Sequence, residues 1–181
     1  TDDYQDEFEQ ALTEQRERSK TASKGMFKGG LSDTSDQTVK YHTACHLLLA
    51  ALQQVIDPGI NQKGSNLTPE RFDFNIDHKM TPEEITAVEN LVNQWIEADL
   101  PVVHAEYDKD YAFDELHAHG SFRDRYPDRV TVYTIGDANN PTSCEICGGP
   151  HVERTSELGH FKITKEESSS AGVRRIKAIL E

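Results

Sequence analysis

Apolar side chains recur along this chain with two different periods, and each period marks a different kind of element. From Thr38 to about Ile56, the segment TVKYHTACHLLLAALQQVI carries apolar residues through successive helical turns and closes at DPG, a stop signal. QKGSNLTPE after it is turn-rich, and then Phe72, Phe74 and Ile76 alternate with polar residues, which predicts a half-buried strand over Arg71 to Ile76. Thr81, Pro82 and Glu84 supply an N-cap, a first-turn proline and the acid of a capping box, so a helix should run from there to about Ala98.

Leu100 to Tyr107 reads as a strand, YAFDELHAHG as a short helix ending at Gly120, and VTVYTIG as a further strand. Phe161 to Thr164 predicts a brief strand, and in SSSAGVRRIKAILE a turn precedes an element whose periodicity fits strand or helix. Helices and strands mixed without regular βαβ alternation predict an α+β fold, built as two layers of helix on sheet, with no internal repeat. Ahead of this domain, Asp3 to about Lys24 places Phe8 and Leu12 at helical spacing among charged residues, which predicts a helical arm with too few apolar residues to stand alone. GMFKGGLSDTSD then reads as a linker, giving an arm and linker over residues 1–30 and one domain over 31–181.

At 181 residues, with 35% hydrophobic residues, one closed core is expected. No apolar run approaches the roughly 20 residues that span a bilayer, and the acidic opening TDDYQDEFEQ is unlike a signal peptide, so no membrane partner and a cytoplasmic location are expected. Three cysteines, an odd count, fit reduced thiols or metal ligation better than a disulfide framework. The net charge of −13 opposes indiscriminate nucleic-acid binding, so any RNA contact must be local. The stretch from Lys162 to Lys177, with Arg174 and Arg175, is the candidate, against the plainer reading of a solvated charged face.

His42 and His46 stand four apart on the first helix, so their side chains project from one face one turn apart. About a hundred residues later, SCEICGGPHV brings Cys147 and His151 together across a glycine-bearing loop. Joined, the two pairs supply the three nitrogens and one sulfur of a tetrahedral Zn2+ shell. Cys144 and Cys147 form a CxxC, but neither the second CxxC of a zinc ribbon nor the helix start of a redox motif accompanies it, so Cys144 is expected to be a small buried residue. A closed four-ligand shell favours structural zinc, whereas expansion to five ligands or one loosely held side chain allows catalysis, and both readings stay open.

HxxxH, QKGS, the strand RFDF, CGGPH and the tail TSELGHFKITKEESSSAGVRRIKA resemble, in order and spacing, the editing domain of alanyl-tRNA synthetases and related free-standing editing proteins. The resemblance runs from about residue 27 to the C-terminus, SAGVRRI being its most specific part, and FEQALTEQRERSK looks like the segment joining the synthetase body to that domain. It implies Zn2+ on His42, His46, Cys147 and His151, and hydrolysis of serine or glycine wrongly esterified to the alanine tRNA. It further implies catalytic roles for Gln62 and Cys147, substrate contacts from Cys45, Gln62 and Ser65, and RNA contacts from Lys63, Arg174 and Arg175. The partners implied are mischarged tRNA(Ala) and the other domains of a larger synthetase.

Two positions depart from the family pattern. Cys45 stands in HTACH where threonine is common, either lining the amino-acid pocket or packing the helix, and Pro150 in CGGPH is similar to threonyl-tRNA synthetase editing domains, which remove serine from their own tRNA. Two other classes of function compete: a non-catalytic zinc-stabilised tRNA-binding module, and another metal-dependent hydrolase. HTACH lacks the adjacent glutamate of HExxH, which speaks against a peptidase. His78, His104, His117, His119 and His160 read as surface or packing residues.

Overall fold

A computed structural model of the protein describes residues 35–120 and 122–181. The predicted helical arm, the linker and the boundary near residue 30 lie outside the described residues. The fold is α+β, with helices α1 (Asp36–Val55), α2 (Pro82–Glu97) and α3 (Lys109–Asp114). Strands β1 (Gly64–Thr68), β2 (Arg71–Ile76), β6 (Phe161–Ser170) and β7 (Val173–Leu180) form an antiparallel sheet in the order β1-β2-β7-β6. A second antiparallel sheet joins β3 (Val102–Asp108), β4 (Arg129–Asp137) and β5 (Asn140–Ile146). The helix-on-sheet unit thus carries a second sheet that the two-layer expectation did not separate.

α1 is the hub. Ser35 caps it, its hydroxyl accepting from the Thr38 N–H, and every residue from Tyr41 to Leu49 is buried. A helix apolar on all sides belongs inside the protein, and α1 packs against α2, β1 and β5 together. The main core runs from Leu47, Leu48 and Leu52 on α1 to Phe72, Phe74 and Ile76 on β2 and Phe161 and Ile176 on the neighbouring strands. His42 and His46 therefore stand in the interior, where an unpaired polar group is costly.

α2 is amphipathic, burying Val88, Val92 and Ile96 at four-residue spacing. Its start is the predicted capping box: Thr81 accepts from the Glu84 N–H while the Glu84 carboxylate accepts from the Thr81 N–H. α2 also covers the backbone of edge strand β6. Asn93 donates to the Phe161 carbonyl and accepts from the Phe161 N–H, both at 2.8 Å, and Glu89 accepts from the Ile163 N–H at 2.7 Å. Groups that an open edge would expose are thereby paired.

Several predicted elements change. QKGSNLTPE, read as turn-rich, contains β1, a short edge strand in which only Leu67 is buried, so its pattern is too weak to read alone. β5 went unpredicted because Pro141 and polar residues mask it, yet it is an edge strand that tolerates proline where the ladder shifts beside Gly136. α3 ends at Asp114 rather than Gly120, since His117 has φ +53° and the His119 N–H and carbonyl pair with Cys144 and Ile146 instead. The element after SSSAG is strand β7, joined to a longer β6 by a two-residue turn with Gly172 at φ +73°.

The β6–β7 pair also repositions one predicted RNA contact. Arg174 points to the helix side of the sheet and clasps Glu166 with two hydrogen bonds of 2.8 and 2.6 Å. That guanidinium, with the Met80 N–H, holds the Glu166 carboxyl below its ordinary range.

Two stability measurements follow. Thr81→Ala should cost about 1 kcal/mol in urea unfolding through loss of the cap, and an unchanged midpoint would contradict the capping role. Glu166→Gln should cost about 1.5–3 kcal/mol at neutral pH. Because the folded carboxyl is depressed, its stabilisation is complete above the unfolded value near 4.5 and lost as pH falls through the folded value. The gap between wild type and variant should therefore narrow below about pH 4.5, and a gap that stays constant into acid would contradict the pair.

Candidate metal centre

His42, His46, Cys147 and His151 converge so that one ligand atom from each lies within 4.8 Å of the others. The helix supplies the first two, and the loop that follows β5 supplies the rest. That loop is pinned at both ends: the Cys147 N–H donates to the Thr131 carbonyl at 3.0 Å, and the Val152 N–H donates to the Thr43 hydroxyl at 3.1 Å. Between the pins, Gly149 adopts φ +67°, and a Cβ there would lie 2.1 Å from the Tyr133 hydroxyl, so no side chain fits.

Each imidazole is oriented from behind. His42 Nδ1 lies 2.9 Å from the Pro150 carbonyl, which only accepts, so Nδ1 carries the proton. Thr43 gives its own proton to the Val39 carbonyl and therefore accepts from His151 Nδ1 at 3.0 Å. His46 Nδ1 faces the Glu145 carboxylate. With all three Nδ1 atoms engaged outward, the Nε2 lone pairs are left for the interior, the arrangement by which a carboxylate or carbonyl orients a metal-binding histidine. Nε2 of both His42 and His151 lies 3.4 Å from Cys147 Sγ. Bonds of 2.0–2.1 Å to nitrogen and 2.3 Å to sulfur in a tetrahedron require ligand separations of roughly 3.4–3.6 Å. The cluster fits a four-coordinate metal ion.

Its electrostatics point the same way. Burial pushes His46 down, but the Glu145 carboxylate and then the Cys147 side chain outweigh burial and raise it to about 10. His151 is driven the other way by burial and by the imidazoles of His42, His46 and His104. The Glu145 carboxylate stands behind His46, and a metal ion on the inner side would take the place of the His46 proton. Glu145 was missed in the sequence, although its place two residues before Cys147 in SCEIC is the one available signal. Tyr133, also missed, sets its ring edge-on to His151 with centroids 4.4 Å apart and stacks on His104.

The remaining predicted residues are placed as follows. Cys45 is 3% exposed in the main core, its thiol pushed up by burial and then by Glu145 and Cys147. Cys144 lies on β5 outside the ligand cluster and is half-buried rather than buried, since its strand borders open space. Gln62 and Lys63 precede edge strand β1, and Lys63 approaches Asp77 at 3.8 Å. Ser65 pairs with Phe74, so it shares the helix-facing side of the sheet with Leu67. Arg175 points to the opposite side of the sheet from Arg174. His78, His104, His117, His119 and His160 lie outside the ligand cluster. A cleft of about 830 Å³ opens between α1 and β5, and His46 and Glu145 line it together with Leu49, Leu116 and Cys144.

Comparison with known proteins gives consistent matches. The family described as "Threonyl and Alanyl tRNA synthetase second additional domain" matches residues 130–177, which include Cys147 and His151. The chain is 50% identical over 178 residues to an alanine–tRNA ligase of Treponema denticola, covering 97% of this chain and 29% of that protein. It is 48% identical over 175 residues to an alanine–tRNA ligase of Borrelia hermsii, covering 96% of this chain and 29% of the relative. An alanine–tRNA ligase of Chlorobium luteolum is 42% identical over 148 residues, 79% of this chain and 16% of the relative. The chain thus spans less than a third of the length of these relatives.

If Glu145 orients His46, Glu145→Ala should weaken metal affinity about 10–100-fold with the fold retained. Competition against a chromophoric chelator reads this directly. Wild-type affinity in the variant would remove Glu145 from the site.

Proposed function

Because the chain belongs to the threonyl and alanyl tRNA synthetase second additional domain family, we propose that it is the editing module of an alanine–tRNA ligase. The reaction is hydrolysis of the ester that joins serine or glycine to the terminal ribose of tRNA(Ala). Water oxygen bonds to the ester carbonyl carbon, the bond from that carbon to the ribose oxygen breaks, and a proton passes to the ribose oxygen. Free amino acid and uncharged tRNA result. The observation that carries this reading is the quartet of inward-facing Nε2 and Sγ atoms whose member His46 also lines an open cleft.

Zn2+ held by His42, His46, Cys147 and His151 would supply Lewis-acid polarisation of the ester carbonyl or of water. Around it, this chain's residues bind and orient. The Glu145 carboxylate keeps the proton of His46 on Nδ1, and the Pro150 carbonyl does the same for His42. Cys147 contributes its thiolate as a ligand. Gln62 is assigned to position the substrate through its side-chain amide, Ser65 to contact it from the helix-facing side of β1, and Lys63 to meet phosphate. Cys45, next to His46 on α1, is buried in the main core and packs the helix.

Such an activity answers a physical problem. An apolar pocket built for alanine cannot firmly exclude serine, which only adds a hydroxyl, so a second site that favours the hydroxyl is needed. The relatives that the chain matches are alanine–tRNA ligases, which supports tRNA(Ala) over the threonine tRNA suggested by Pro150. The other domains of such a ligase are then its natural partners.

The test is incubation of the chain with Ser-tRNA(Ala) and Ala-tRNA(Ala), before and after chelation, beside His46→Ala. The serine ester should be lost about 10²-fold faster or more than the alanine ester, and chelation or His46→Ala should abolish the difference. Equal slow decay of both esters, with chelation merely unfolding the chain, would favour a zinc-stabilised binding module and overturn the reading.

A further inference from the structure

The four-stranded sheet buries one face against α1 and α2, and among the described residues no element covers the other. Strand alternation puts Asp73 and Asn75 of β2, Arg175 and Lys177 of β7, and Lys165 and Glu167 of β6 on that outer face, where Lys177 stands opposite both Asp73 and Lys165. Arg71 and Lys162 share the same side, two residues from Asp73 and next to the inward-facing Phe161. Arg174 does not belong to it.

At its centre is a carboxylate ringed by three cations. Asp73 has a side-chain exposure of 4%, yet it sits on the solvent side of the sheet because cations roof it over. Arg71 Nε lies 2.5 Å from it, Lys177 Nζ 3.4 Å and Arg175 Nε 4.0 Å. Among the described residues, every ion pair of Arg71, Arg175 and Lys177 goes to this one carboxylate. A single cation would neutralise Asp73, whereas three of like sign crowd together at a cost that folding alone does not require. Hydrogen bonds from Arg175 to Asn75 at 3.4 Å and to Ser169 at 3.0 Å hold its guanidinium in place. Lys165 has Glu167 at 3.0 Å, so the face keeps an excess of positive charge in a chain whose net charge is −13.

We infer that this outer face, built from Arg71, Lys162, Lys165, Arg175 and Lys177 around Asp73, is a docking surface for the phosphate backbone of RNA. The occupant follows from the chemistry. The face offers multiple cationic donors held in place, with Ile179 as its exposed large apolar side chain, and polar, cationic surfaces suit phosphodiesters better than protein partners. The acidic remainder of the chain repels phosphate and so confines it to this patch. The sheet and α1 separate the face from His42 and His46, which means it grips a part of the RNA other than the reacting ester. The inference rests on the proposed tRNA substrate, and it assigns the RNA contact to Arg71, Lys162, Lys165 and Lys177 beside Arg175.

The experiment is fluorescence anisotropy of labelled, uncharged tRNA(Ala) with the full chain across a salt series. Lys162→Gln with Lys165→Gln, neither touching Asp73, is compared with Lys177→Gln and with Arg123→Gln, whose guanidinium pairs with Asp110 and Asp114 elsewhere. Thermal melts establish that each variant is folded. The slope of log K against log salt should fall by about 0.9 for each phosphate contact removed, and KM for Ser-tRNA(Ala) should rise while the loss in kcat stays small. Arg123→Gln should leave both unchanged. Wild-type slopes in the folded lysine variants would overturn the inference, as would displacement of the tRNA by polyglutamate at equal charge concentration, which would mark the face as a site for acidic protein. A reduced slope without ester hydrolysis in any protein would sink the editing reading and leave this surface standing. Hydrolysis with unchanged KM would do the reverse.

Discussion

Convergence of four nitrogen and sulfur donors, three of them on buried residues, around one point is the constraint on which the structure turns. His42 is 1% exposed, Cys147 2% and His46 6%, and each histidine turns its Nδ1 to an outward partner, which leaves Nε2 of His42 and His151 beside Cys147 Sγ, where a cation would be held. α1 is buried on all sides because it must carry two of these ligands into the gap between the sheets. The loop after β5 must turn within Gly148, Gly149 and Pro150, and the space beside Gly149 is already filled by the Tyr133 hydroxyl. Thr43 ties the two halves together, since one hydroxyl accepts from the loop backbone and from the ligand His151.

Charge is divided between two places with different tasks. At the candidate metal centre, the Glu145 carboxylate backs His46 and raises its affinity for positive charge. On the outer sheet face, Arg71, Arg175 and Lys177 overcompensate Asp73 and leave positive charge facing solvent. The same strand can serve both needs because alternation sends neighbouring residues to opposite faces: Arg174 turns in to stabilise Glu166, and Arg175 turns out.

Long periodic elements and short motifs were legible in the chain itself. The helix containing His42 and His46, the strand Arg71–Ile76 and the capping box at Thr81 have strong local signals, and the His/Cys cluster that could hold a metal was readable because HxxxH and CGGPH each leave a recognisable spacing. Elements whose existence depends on distant pairing were not. β1 has one fully buried residue, β5 carries a proline at its second position, and α3 stops early because the backbone of His119 is wanted by Cys144 and Ile146. Glu145 and Tyr133 escaped for a similar reason, since no sequence spacing reveals that a β5 carboxylate and a β4 ring stand behind ligands on α1 and the following loop. Arg174 and Arg175, read together as RNA contacts, are strand neighbours and so face opposite sides of the sheet.

The central claim is most directly tested by X-ray absorption at the zinc edge of the metal-loaded chain. The account predicts three nitrogen scatterers near 2.0–2.1 Å and one sulfur near 2.3 Å, with the sulfur lost in Cys147→Ser. A shell of oxygen and nitrogen alone in the wild type, or a sulfur signal that survives Cys147→Ser, would contradict it.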